Sequence, residues 1–408
     1  MRKWLMQLGL VGALVWPGAA QERLVEQFLE SGRLAEGRAA VEAALQGEPG
    51  SDSLRFQLGL VQFFGAVERF SQGMYRYGLH ESIFHRSLPF LRFPVEVNLR
   101  PEQATNAAVR QVLQRFVTDL AEASKTLALI PDASPVHYPL RFGRVRLDLN
   151  GDGKIGPKEE LWRVMAELTA ATTVDEKNAS RFGVHLDAAD ARWLEGYCHL
   201  LEALGEVVLA YDTSEVFARC GHLFFSHTDS PYGFLTERAQ DSSEWGEIFD
   251  AIAFVHLLNF PLLEGPRLEV ARQHLLTVIA LSRRSWDCIL AESDDRYEWI
   301  PGPKQRGVVP GARVTPEMVA SWRSFLTESE ALLEGKKLLP FWRGQEPNRG
   351  VNLRKVLSEP RALDAVLWVQ GTAAAPYLEE GPVSPTEFWR QLNRAFRGNF
   401  LGFAIWFN

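Results

Sequence analysis

The chain holds only three cysteines in 408 residues, Cys198, Cys220 and Cys288. This excludes a disulfide-built scaffold, and an odd number leaves at least one thiol unpaired within a single chain. Basic charge is also short: 44 Lys and Arg face 51 Asp and Glu, a net charge of -7. A nucleic-acid or anionic-membrane surface needs clustered Lys and Arg, so both partners are disfavoured. Long apolar runs are missing beyond the N-terminus. The best candidate, Ala251 to Leu263, is broken by His256, Asn259 and Pro261. It falls short of the ~20 residues a spanning helix takes and reads as a buried helix. No HExxH, CxxC or GxSxG motif occurs, nor a Gly-rich run of the kind that cradles phosphate.

What is present begins with MRKWLMQLGLVGALVWPGAA. Arg2 and Lys3 precede an apolar stretch, and Gly18 and Ala20 sit where a signal peptidase wants small residues. Residues 1–20 are therefore expected to be a cleaved export signal. The mature chain is expected in the periplasm or outside the cell, with no transmembrane segment.

The expected fold class is mainly α. Residues 21–70 carry FLESGRLAEGRAAVEAALQGEPGSDSLRFQLGLVQF, with Gly32, Leu34, Ala44 and Pro49 punctuating one helical hairpin and Leu58-Gly59 opening the next. This weakly resembles a tetratricopeptide repeat, although Gln62 stands where a Tyr is common. The resemblance implies helical faces that engage a protein or peptide. Residues 71–100 are expected to form an aromatic, proline-rich connector packed through Tyr75, Tyr77, Phe84, Phe90 and Phe93. Residues 101–408 are expected to form one helical body, with apolar spacing of three and four predicting helices over 104–130, 188–211, 213–222, 243–260, 268–293, 316–334, 361–369 and 385–397. Asp187 should cap the second of these, and Ser384 with Glu387 fits a capping box for the last. RFGRVRLD and RFGVHLD predict short strands near 142–148 and 181–187, paired antiparallel. Pro301 to Pro316 reads as an exposed loop or hairpin, and the apolar tail from Phe396 as a docked strand or extended segment.

The strongest signal is DLNGDGKIGPKE, Asp148 to Glu159. Asp148, Asn150 and Asp152 occupy positions one, three and five of a twelve-residue loop and offer side-chain oxygens. Gly153 stands at position six, where the backbone turns sharply. Lys154 would give its carbonyl, Ile155 would pack inward, water would serve at Gly156, and Glu159 would close the shell with two oxygens. Such an all-oxygen set suits Ca2+ better than Mg2+, which wants a tight octahedron, or Zn2+, which wants Cys and His. The loop resembles that of the EF-hand family over these twelve residues. Because the preceding segment looks extended, the implied site is strand-loop-helix, as in dockerin-like variants. The plainer alternative is an acidic turn that only caps the helix from Pro157.

Catalytic signals are weak. His222, His227 and Asp229 cluster in CGHLFFSHTDSPYG, with His199 and His256 on flanking helices. Their spacing matches no metal or triad motif, and ordinary core or surface roles are favoured. Asp241, Glu244, Glu247 and Asp250 read as a solvated helix face, and the 12 Trp as interface filling. Together these point to an exported calcium-binding protein serving as a binding or scaffold module for protein or peptide. The alternative is an exported hydrolase of cell-wall or carbohydrate material, with His222, His227 and Asp229 near its centre.

Overall fold

The computed structural model describes residues 23–80, 97–168, 179, 182–236, 244–293, 295, 298–308, 313–344 and 348–407. The expected export signal, Phe84, Phe90 and Phe93 lie outside them. The chain is mainly helical, 61% helix against 10% strand. Among the described residues no helix is long and apolar enough to cross a membrane.

The order begins α1 (Glu26–Ser31), α2 (Leu34–Gly47) and α3 (Asp52–Arg76). Gly32 ends α1 in the left-handed conformation, with φ 69, and the chain turns straight into α2. Ser51 caps α3 by accepting the Leu54 N–H. Then come α4 (Asn106–Leu127), β1 (His137–Leu140), α5 (Leu161–Leu168), β2 (Val184–Asp187) and α6 (Ala188–Leu209). Next are α7 (Ser214–Cys220), α8 (Gly233–Thr236), α9 (Glu244–His256), β3 (Asn259–Phe260), α10 (Pro266–Ala291) and α11 (Pro316–Leu333). The C-terminal part has β4 (Leu339–Pro340), β5 (Arg349–Val351), α12 (Leu353–Ser358), β6 (Leu363–Asp364), α13 (Ala365–Gln370), β7 (Leu378–Glu380), α14 (Thr386–Ala395) and α15 (Phe400–Phe407).

The long helices pack in succession: α3 on α4, α4 on α6, α6 on α10 and α10 on α11. Small residues permit the close approaches. A Cβ on Gly59 of α3 would stand 2.6 Å from Leu127 of α4, and one on Gly205 of α6 would stand 2.4 Å from Val117. Arg192 of α6 is fully buried at this junction. Its guanidinium donates to the Leu127 carbonyl at 2.8 Å and to that of Ile130, and it pairs with Glu195. It thereby satisfies carbonyls that the C-terminus of α4 leaves without helical partners.

Several expectations are corrected. The strand near 142–148 is a 3-10 turn over Phe142–Arg144 followed by extended backbone. Its predicted partner β2 pairs instead with β1, His137 opposite Asp187 through Leu140 opposite Val184. Tyr138 and Leu140 alternate into the same core as Val184 and Leu186, whereas residues 145–147 bond through their backbone to Leu29, Glu159 and Leu161. The contact with 181–187 that survives is a bond from the Gly143 N–H to the Phe182 carbonyl. Ser384 is not the cap of α14. Pro385 holds that place, and the buried Ser384 hydroxyl accepts the Trp389 indole N–H at 2.9 Å. The tail is helical rather than extended: Arg397 and Gly398 take positive φ, and α15 then lays Phe400 and Phe403 against Trp322. The segment from Pro301 is not wholly exposed, since Pro301 and Gly302 are buried and Gly307 bridges to Glu298.

Leu127 is fully buried where α3, α4 and α6 meet. Leu127→Ala should destabilise the protein by about 2–5 kcal/mol, read from the shift in a urea unfolding transition.

Candidate metal centre

The loop Asp148 to Glu159 is held from both sides. Before it, the Arg146 N–H donates to the Leu29 carbonyl of α1 at 2.9 Å. Leu147 N–H donates to the Glu159 carbonyl, and Leu161 N–H to the Val145 carbonyl, both at 2.9 Å. The two ends of the loop are thus clasped by a short antiparallel bridge, Arg146 opposite Glu160. From α3, Glu68 accepts the Asp148 N–H and Gln72 donates to the Asp148 carbonyl, each at 2.8 Å. Ile155 points back toward α1, where a Cβ on Gly32 would lie 2.3 Å from its Cδ1.

The oxygen donors turn inward on the loop's own amides. Asp148 accepts from Gly151 at 2.8 Å and Gly153 at 3.0 Å, Asn150 from Asp152 at 2.9 Å, and Asp152 from Lys154 at 2.8 Å. Glu159 is 1% exposed. Its Oε1 accepts from Leu149 at 2.8 Å and its Oε2 from Gly156 at 2.6 Å. A carboxylate has about four lone-pair sites, so these bonds leave acceptor capacity for a cation. Lys154 is exposed, with its ammonium in water. Gly153 has φ 75 and open space around its absent Cβ. Its requirement is therefore conformational: the sharp turn needs a positive φ, which glycine adopts without strain.

Burial, more than neighbouring charge, raises the proton affinity of the carboxylates around the loop. Burial, and then the Asp148 charge, push the Glu68 carboxyl up to about 7. Burial also raises Glu159, partly offset by the three amides it accepts. The donor set is all oxygen, which fits a hard divalent ion. The carboxylates of Asp148, Asp152 and Glu159 do not all lie within 4.8 Å of one another, about the widest separation open to oxygens that share one ion, so an ion would have to draw them together.

The other sequence candidates do not assemble. His222 Nε2 lies 3.3 Å from Asp250 of α9, so its carboxylate neighbour is Asp250 and not Asp229. His227 and Asp229 are exposed and use their backbones to grip Ala104, whose N–H donates to His227 at 2.7 Å and whose carbonyl accepts from Asp229 at 3.0 Å. His256 is exposed. All three cysteines are free thiols.

Sequence reading missed a second acidic cluster. Asp187, Glu292 and Glu298 bring ligand atoms within 4.8 Å of one another beside Asp190. Asp187 and Asp190 are there as a reciprocal cap of α6, Asp187 accepting the Ala189 N–H at 2.7 Å and donating its own N–H to Asp190 at 3.0 Å. Burial, then the Asp187 charge, push Glu292 up to about 8 and raise Asp190 as well. The partners come from residues over 100 positions apart, so only the cap was legible. Because folding raises the Glu292 pKa from 4.5 to about 8, the folded state holds an extra proton between those values. That stabilisation is complete below pH 4.5 and is lost as pH rises through about 8. In chelator, the melting temperature should fall between pH 5 and 8.5, and Glu292→Gln should make the fall shallower. Comparison with family models, curated proteins and solved structures finds no match.

Proposed function

We propose that this is an exported calcium-binding protein in which the ion fastens the N-terminal hairpin to the helical body, and that the body serves as a binding module for a protein or peptide. The supporting observation is the Glu159 carboxylate, buried at loop position twelve and folded back onto the amides of Leu149 and Gly156. The bond to Gly156 is the capping contact of the turn from Pro157; the burial of the carboxylate and its bonds to the Leu149 and Asn150 amides go beyond what a cap needs. Asp148, Asn150, Asp152, the Lys154 carbonyl and Glu159 would hold Ca2+, which supplies positive charge to an oxygen-lined turn. The role is structural: α1 meets the loop through Ile155 and Leu29, and α3 meets it through Glu68 and Gln72.

The partner reading rests on apolar surface. Phe249, Ile252 and Val255 of α9 and Val366, Leu367 and Val369 of α13 are exposed. The two helices are joined at their ends by the β3–β6 ladder, Asn259 opposite Asp364. Apolar side chains left exposed on helices joined in this way are what an interaction site would use.

Calorimetric titration of chelator-stripped protein should give one Ca2+ per chain. Asp148→Ala and Glu159→Ala should each abolish it, and normal binding in both would reject the site. At calcium a hundredfold above its Kd, stability should rise by about 2.7 kcal/mol. For the partner, Phe249→Asp with Ile252→Asp should lose proteins that co-purify with wild type from the exported fraction, with calcium binding unchanged.

A further inference from the structure

The interface of α6 and α10 gathers His199, Glu202 and His274. His199 and Glu202 are three residues apart on α6 and share a face, and His274 comes from α10 opposite. The two Nδ1 atoms are 2.8 Å apart. Glu202 lies 3.5 Å from His199 Nδ1 through Oε1 and 3.6 Å from His274 Nε2 through Oε2. Glu202 is 3% exposed, while the two imidazoles keep 19% and 18% of their side-chain surface in solvent. The Ser124 hydroxyl of α4 donates to Glu202 Oε1 at 3.3 Å and orients the carboxylate.

We propose that His199, Glu202 and His274 bind a divalent transition-metal ion of the zinc class, with a fourth position open to water. Bonds of 2.0–2.1 Å in a tetrahedron set ligand atoms roughly 3.3 Å apart. One ligand atom from each of the three side chains lies within 4.8 Å of the other two, so occupation needs the two rings and the carboxylate to close in on a shared ion. Two imidazoles and one carboxylate select a borderline ion over Ca2+ or Mg2+, which take oxygen ligands. Three protein ligands with partial solvent access leave a coordination position for water, as at sites where zinc acts on a substrate. The ligands ride on long packed helices, which hold geometry better than loops do. Ser124 fills the supporting role that metal-bound carboxylates usually receive. This site and the Asp148 to Glu159 loop share no residue, so each stands without the other.

The test uses the full chain, stripped with chelator and then saturated with Ca2+ so that the oxygen loop is filled. Titration with Co2+ should give visible d–d absorption of a low-coordinate ion, saturating at one equivalent and reversed by Zn2+. Thiolate charge-transfer bands should be absent. His199→Gln and His274→Gln should each weaken binding at least about 100-fold, and Ser124→Ala about tenfold. Asp148→Ala should leave the spectrum unchanged. Far-UV circular dichroism and a thermal melt of each metal-free variant separate ligand loss from misfolding, and Glu202→Gln supplies a third variant if either His variant fails to fold. Absorption no stronger than that of the hydrated ion overturns the proposal. So does thiolate charge transfer, or a spectrum that survives in correctly folded ligand variants.

Discussion

A carboxylate removed from water must be neutralised by hydrogen bonds, by a proton or by a cation, because its charge is otherwise worth several kcal/mol of penalty. This constraint acts at three places in a chain of net charge -7. Around the oxygen loop, Glu68 and Glu159 are drawn in beside Asp148. At the start of α6, Asp190 and Glu292 lie beside Asp187 and Glu298. In the middle of α6, Glu202 is held with its carboxyl at about 7. Arg192 shows the contrasting solution, a buried cation held by Glu195 and two carbonyls. At the three acidic places the bonds described come from backbone amides and a serine hydroxyl.

The oxygen loop is also a mechanical joint. Its ends are closed by a single bridge at Arg146 and Glu160, too little ladder to hold it alone. The remaining ties run outward: Leu29 and Gly32 from α1, Glu68 and Gln72 from α3. The order of the loop and the seating of the first helices are therefore one problem, and a cation in the loop acts on both.

How much of this could be read in the chain varies with the range of the interaction. Helix positions were legible because their signals are local: Asp187 caps as expected, and Pro266 and Pro316 stand at the first turns of α10 and α11. The order of oxygen donors from Asp148 to Glu159 was legible for the same reason. Strand pairing was misjudged because RFGRVRLD and RFGVHLD look alike, while the winning partner, HYPL, carries a proline that weakens its strand signal. The tail failed on the same ground: FLGFAIWF is apolar on every side, so periodicity cannot separate helix from strand. Glu68, Gln72 and His274 reach Asp148 and His199 across 75 to 80 positions, where one sequence carries no pairing signal. For His199 and Glu202 the signal existed, a His and a Glu one helical turn apart, and its meaning depended on α10.

The junction of β2 and α6 has no linker. Asp187 ends the strand and caps the helix, and Ala188 already lies in its first turn. A rigid rod spliced to a ribbon in this way has no slack, so a small rotation of the β1–β2 ribbon must swing the whole of α6 like the arm of a balance. Along that arm sit the Asp187 cluster at the pivot, Arg192 one turn further and His199 with Glu202 near the middle. Strain entering at one of these stations is delivered to the others as displacement.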